Sequence, residues 1–263
     1  MQTERIDRGD GVELAFEHVP GASPAIVFLG GYGSDMTGDK ATALAGLAAA
    51  GGHGFLRLDY SGHGASGGAF ADGTIGRWML DALAVIDHVA PRLMLLVGSS
   101  MGGWIGLLVA RRRMPLMAGF VGVAAAPDFT ERLMWQAMTP PERAALTRDG
   151  FLPGPDTYGA PRPITRALIE DGRRHLLLDN PIEMACPVRL LHGQRDADVP
   201  WETAMELSRA LACADVQVTL VKDGEHRLSR PSDLALLRRT VRGLLGEDGG
   251  QALAKSRVAP GDP

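Results

Sequence analysis

The chain has 263 residues and a mass of 27.9 kDa, with 45% hydrophobic residues, 22% charged residues and a formal net charge of −4. At about 150 residues per domain, this length suffices for one large domain with a substantial buried core. Asp and Glu outnumber Lys and Arg by 31 to 27, which disfavours a basic nucleic-acid-binding protein, and no apolar run approaches the about 20 residues of a membrane-spanning helix.

In chain order, residues 4–8 and 12–18 flank Gly9-Asp10-Gly11 and read as an antiparallel hairpin. Short, β-rich apolar runs follow at 25–29, 55–58, 93–97, 120–124, 188–192 and 216–221. Near-continuous runs of this kind belong to strands buried on both faces of a parallel sheet. Helical patterns separate them. Within residues 74–89, Ile75, Trp78, Met79, Ala82, Val85, Ile86 and Val89 fall on one face, and residues 201–211 and 234–245 repeat the arrangement. The alternation predicts an α/β fold: a mostly parallel central sheet with flanking helices and an antiparallel hairpin at its start.

One stretch breaks the rhythm. From Pro127 to Ala185 there is no clear strand pattern, and Pro140-Pro141, Pro153-Gly154-Pro155 and Pro161-Arg162-Pro163 punctuate short helical pieces. So long an interruption between two strands predicts an inserted helical cap, residues 127–185, within a single domain spanning 1–245. The polar, Gly- and Pro-containing residues 246–263 are expected to be frayed. Cys186 and Cys213 show neither metal-ligand spacing nor a disulfide framework, and the opening MQTERIDRGD carries no presequence pattern. A cytoplasmic chain with reduced thiols is the expectation.

The strongest chemical signal is Gly98-Ser99-Ser100-Met101-Gly102, a Gly-x-Ser-x-Gly pattern centred on Ser100. It follows the apolar run LMLLV and opens the helical stretch MGGWIGLLVARR. A strand–turn–helix setting is what a nucleophile elbow requires: a strained serine at the carboxyl edge of the sheet, with small neighbours and a helix N-terminus beneath it. Ser99 lies off the motif centre and would point elsewhere. A serine hydroxyl is a weak nucleophile and needs an adjacent base. Of the seven histidines, His226 in Asp223-Gly224-Glu225-His226 follows the last strand, where a loop at the carboxyl edge can reach Ser100. His18, His53, His88 and His175 fit the base role less well; His63 is expected near the site entrance, and His192 in a hydrogen-bonding structural role.

The third member should be a carboxylate that orients the imidazole. HGQRDADVP offers Asp196 and Asp198; Asp196 is favoured, because Asp198 is placed to cap a helix beginning at Trp201. Asp128 is a further option. Acyl transfer also needs oxyanion donors, for which the N–H of Met101 and, in the turn Gly30-Gly31-Tyr32-Gly33, the N–H of Tyr32 are the candidates. A phosphate-binding reading of that turn lacks the Gly-x-x-x-x-Gly-Lys-Ser/Thr pattern it would need. This chemistry calls for no metal or organic cofactor.

These blocks together resemble the α/β-hydrolase superfamily. FLGGYGSDMTGDKA, LRLDYSGHGASGG, VGSSMGGWIGLLVA, VRLLHGQRDADVPW and DGEHR, spread from Ala25 to His226, are similar within it to a branch of acyl-protein thioesterases that also cleave acyl glucuronides. The resemblance implies an α/β-hydrolase fold and a serine hydrolase acting on thioesters or esters. Matched position by position, its triad is Ser100, Asp196 and His226. It implies a small-molecule ester or thioester, or an acylated protein, as the partner. A general carboxylesterase and a catalytically silent binding protein are the alternatives.

Overall fold

A computed structural model describes residues 2–154 and 162–247; of the expected frayed tail, residues 248–263 lie outside the described residues. In chain order the first strands are β1 (Thr3–Asp7), β2 (Glu13–Val19), β3 (Ala22–Leu29), β4 (His53–Leu58), β5 (Met94–Ser99) and β6 (Met117–Val123). Three two-residue strands follow, β7 (Phe151–Leu152), β8 (Ile164–Thr165) and β9 (Ile182–Glu183). The last are β10 (Val188–Gly193), β11 (Leu211–Ala212) and β12 (Val216–Val221). The helices are α1 (Asp39–Gly51), α2 (Ile75–Val89), α3 (Met101–Arg112), α4 (Pro140–Asp149), α5 (Arg166–Gly172), α6 (Glu202–Ala210) and α7 (Pro231–Leu245).

Eight strands form one sheet in the order β1-β2-β4-β3-β5-β6-β10-β12. The pairs β1–β2 and β2–β4 are antiparallel, and every pair from β4–β3 to β10–β12 is parallel. This is the expected α/β-hydrolase fold, with its antiparallel pair of strands at the N-terminal edge. Alternate residues of the central strands serve opposite faces. Val27, Leu29 and Leu96 pack with Trp78 of α2 and Trp104 of α3, whereas Ile26, Phe28, Leu95 and Val97 pack with Leu44 of α1 and Val241 of α7. Helices therefore cover both faces, which is why these strands read as unbroken apolar runs.

Some elements were not visible in the sequence pattern. Helix α1, DKATALAGLAAAG, carries small residues on every side and so leaves no apolar stripe, although its alanines favour helix. Helix α7 starts at Pro231, three residues before the apolar pattern, because proline suits the first helical position. Between β6 and β10, where no strand was expected, β7 pairs antiparallel with β8, and β9 pairs parallel with β11. Two-residue strands are too short to show alternation. The same region carries a π-helical turn, Thr130–Trp135, closed by the Gln136 N–H donating to Glu131 O at 2.9 Å. No helix among the described residues is long and apolar enough to cross a membrane.

Candidate active site

Ser100 sits between β5 and α3 with φ of 53° and ψ of −120°, a strained conformation for a residue with a side chain. Its neighbours must be small. A Cβ on Gly98 would lie 2.3 Å from Gly102 O, and one on Gly102 would lie 2.1 Å from Leu29 O. The turn is pinned from both sides: Ser100 N–H donates to Val123 O at 2.9 Å, and Ser100 O accepts from Ala126 N–H at 3.1 Å. Parallel pairing of β5 with β6 thus fixes the height of the hydroxyl above the sheet.

The loops after β10 and β12 deliver the other two groups. Ser100 Oγ and His226 Nε2 are 3.1 Å apart, and His226 Nδ1 lies 2.8 Å from Asp196 Oδ2. The Asp196 side chain is wholly buried. Burial alone would push its carboxyl up, but hydrogen bonds from His192, His226 and the Val199 N–H outweigh it and hold the group well below the usual carboxylate range. Its Oδ1 accepts from the N–H groups of Asp198 and Val199 at 2.9 and 2.8 Å, and His192 Nε2 lies 3.1 Å from Oδ2. The hydrogen-bonding role expected of His192 is shared: the same Nε2 lies 3.0 Å from Val199 O, so it serves the loop main chain as well as the carboxylate. With Asp196 ionised, His226 carries its proton on Nδ1 and leaves Nε2 free to accept from Ser100.

The competing candidates make other contacts. Asp198 is exposed and makes no helix cap; α6 begins after Trp201 with no side-chain cap, so that expectation fails because the Asp198 main chain is drawn to Asp196 instead. Asp128 is buried with φ of 61°, and its two oxygens accept from Leu177 and Leu178 N–H at 2.8 and 2.9 Å. It ties the inserted segment to the end of β6. Ser99 is buried at the end of β5. His53 Nε2 meets Glu247, His88 packs on Phe16 and His175 faces Asp171, all in contacts separate from Ser100.

Beside Ser100 runs the turn after β3. A Cβ on Gly31 would come 3.3 Å from Ser100 Cβ, so glycine lets this backbone close on Ser100. Among the described residues, neither the Tyr32 nor the Met101 N–H donates to a protein acceptor. The sequence pattern of the alpha/beta hydrolase family matches residues 26–237.

The chain belongs to the alpha/beta hydrolase family.

Among its relatives, the bovine protein named palmitoyl-protein thioesterase ABHD10, mitochondrial, is 38% identical over 245 residues, covering 91% of this chain and 79% of that protein. A solved structure of a putative hydrolase from Agrobacterium vitis is 44% identical, with a TM-score of 0.88 over 92% of this chain and 98% of that one. Mouse alpha/beta hydrolase domain-containing protein 10 superposes with a TM-score of 0.87 at 35% identity, over 94% of this chain and 99% of that one.

In this alpha/beta hydrolase, two cavities meet at Ser100 and His226. One, about 310 Å³, is walled by Ala126, Phe129, Leu133, Met134, Ile164 and Val199. The other, about 530 Å³, is the more polar of the two, with Ser34, Asp35, Asp39, Lys40 and Ser229 on its wall. Lys40 Nζ donates to the carbonyl of Arg227, beside the histidine. Arg162 and Tyr32 line both cavities. The Tyr32 ring packs edge-on against Phe70, Trp78 and Phe129, and burial pushes its hydroxyl up to about 12 despite the opposing charge of Arg162. The carboxylate and imidazole of Asp196 and His226, with Asp198, lie within 4.8 Å of one another, a cation-sized cluster. Two of its three members are already committed to the Ser100 chain, so a cation there would compete with those hydrogen bonds.

Two residues near this site are placed by contacts that the sequence pattern does not show. Arg162 served in the sequence only as the centre of a Pro-Arg-Pro break, which hid its reach onto the Phe70 ring at 5.0 Å. His63, expected near the entrance, is instead buried behind the turn, with Nε2 accepting from Gly33 N–H at 3.1 Å. Tyr60, Phe70 and Trp78 enclose the ring and keep it from the entrance.

Proposed function

We propose that this alpha/beta hydrolase is a serine hydrolase that cleaves carboxylic thioesters or esters through an acyl-enzyme. The observation that carries the reading is the continuous chain Ser100 Oγ–His226 Nε2 at 3.1 Å and His226 Nδ1–Asp196 Oδ2 at 2.8 Å. Ser100 Oγ attacks the acyl carbonyl and its proton passes to His226, whose developing charge Asp196 stabilises. The N–H groups of Tyr32 and Met101 receive the oxyanion, with the α3 N-terminus favouring negative charge. His226 then gives its proton to the leaving thiol or alcohol. A water, deprotonated by the same imidazole, attacks the acyl-enzyme and releases the acid.

Residues 127–185 act as the cap, and its apolar residues line the 310 Å³ cavity in which the acyl chain lies. The names of the curated relatives, palmitoyl-protein thioesterases, support a thioester carried by an acylated protein as well as a small-molecule ester. Those relatives are mitochondrial by name, and the two free cysteines of this chain suit a reducing compartment. A fluorophosphonate probe tests the mechanism: wild type labels and Ser100→Ala does not. Failure of wild type to label, or equal labelling of the variant, defeats the reading. Paired thioesters and oxoesters with matched acyl chains then separate a thioesterase from a general carboxylesterase.

A further inference from the structure

The N–H of Tyr32 belongs to a peptide whose orientation is set from two directions. Its own carbonyl, Gly31 O, accepts from Ser34 N–H at 3.2 Å and from Ser34 Oγ at 2.9 Å. Because the N–H and C=O of a trans peptide point opposite ways, those bonds aim the Tyr32 N–H away from Ser34. The next peptide is held by His63, whose Nε2 accepts from Gly33 N–H at 3.1 Å. Gly33 has φ of 74°, which glycine reaches freely along with many other conformations, so contacts such as this bond select the shape of the turn.

His63 is itself fixed in one tautomer. Accepting from Gly33 requires Nε2 to be unprotonated, which leaves the proton on Nδ1, 3.2 Å from Ser61 O. Trp78 Nε1 donates to the same carbonyl at 3.1 Å. Ser61 in turn donates through N and Oγ to Asp81 Oδ2 at 2.8 and 2.7 Å, and Asp81, wholly buried on α2, also accepts from Arg8. Burial holds the imidazole neutral by pushing its pKa down to about 4; the Ser61 carbonyl opposes this and the Arg162 charge adds to it. A line of hydrogen bonds therefore runs from Asp81 through Ser61 and His63 to the turn beside Ser100.

We propose that His63 is a positioning residue of the oxyanion site: as a neutral acceptor it holds Gly33 and thereby keeps the Tyr32 N–H aimed at the developing negative charge. This rests on the reading of Ser100 and Tyr32 given above. It assigns His63 no proton transfer and no contact with substrate.

The isosteric amides separate positioning from packing. Gln carries its terminal oxygen where Nε2 lies and can accept from Gly33; Asn reaches only as far as Nδ1 and cannot. The expected result is that His63→Gln keeps most of the activity, whereas His63→Asn loses about 10–100-fold in kcat with little change in KM, below the ~10²–10³-fold cost of deleting a donor outright. An alkyl trifluoromethyl ketone gives a readout that packing alone would not move. Ser100 Oγ bonds to its carbonyl carbon, the carbonyl pair becomes an oxyanion and the hydroxyl proton goes to His226. Its affinity should fall in His63→Asn in step with kcat, while binding of the product carboxylic acid is unchanged. Equal losses in the Gln and Asn variants, or a His63→Asn enzyme that melts earlier but turns over and binds the ketone like wild type, would overturn the proposal. An inactive wild type would instead refute the hydrolase reading, so the two failures are distinct.

Discussion

The two cavities that meet at Ser100 are built by different means. The polar one is lined largely by the turn after β3, the start of α1 and the loop after β12, segments anchored to the carboxyl edge of the sheet. The apolar one takes Phe129, Leu133, Met134 and Ile164 from the segment inserted between β6 and β10, where regular structure is short. Sheet-edge loops inherit their positions from a ladder of main-chain bonds, as Ser100 does from Val123. The inserted wall is held by side chains, Asp128 chief among them. The difference is a division of labour: Ser100, His226 and Asp196 should resist change as a unit, whereas the apolar wall can be altered without disturbing them.

The most severe test of that division is aimed at Asp196, as the acid of the proposed mechanism. Asp196→Asn keeps the shape of the loop but removes the charge that orients His226, and kcat should fall about 10³–10⁴-fold. Asp198→Asn, an exposed change two residues away, should leave kcat nearly intact because its N–H still donates to Asp196. Steady-state hydrolysis of an aryl ester by both variants decides between them; an inactive Asp198→Asn beside an active Asp196→Asn would reverse the assignment.

A smaller effect is expected at the wall. Leu133→Trp adds bulk to the apolar cavity and should lower kcat/KM for a decanoyl ester by about 10–100-fold while sparing the acetyl ester. Rates across a chain-length series measure this directly. If acetyl and decanoyl esters suffered alike, the wall would be part of the reacting unit and the comparison would break.

How far each region could be read from sequence follows the same line. Ser100 and Asp196 each stand just beyond a buried strand with a clear apolar run, and His226 follows the half-exposed edge strand β12, so chain order indicated that they share one sheet edge. The glycines about Ser100 are required by contacts of 2.1–2.3 Å, a constraint strong enough to leave a motif. Arg162 and the β7–β8 pair have no such signature, since their places depend on contacts far apart in the chain. Helix α1 escaped for a different reason: alanine favours helix without marking which face is buried. His63 was noticed but misplaced, because a Gly-rich turn at a strand end looks the same whether its histidine faces the cavity or supports the loop behind it.

The finest test concerns the tether itself. Asp128→Asn tolerates the left-handed backbone at φ of 61° but replaces one of two acceptor oxygens with a donor, setting it against the N–H of Leu177 or Leu178. Leaving a buried N–H unsatisfied costs about 1–3 kcal/mol, so the urea midpoint should drop by a corresponding amount. The loss falls where the inserted segment joins the sheet. Ser100 is held by Val123 and Ala126 on the near side of that joint, through bonds that the substitution leaves in place. Decanoyl turnover should therefore decline while acetyl turnover persists under native conditions. A variant that lost both together before unfolding would mean that Asp128 supports the elbow as well as the wall, and the two regions would have to be regarded as one mechanical unit.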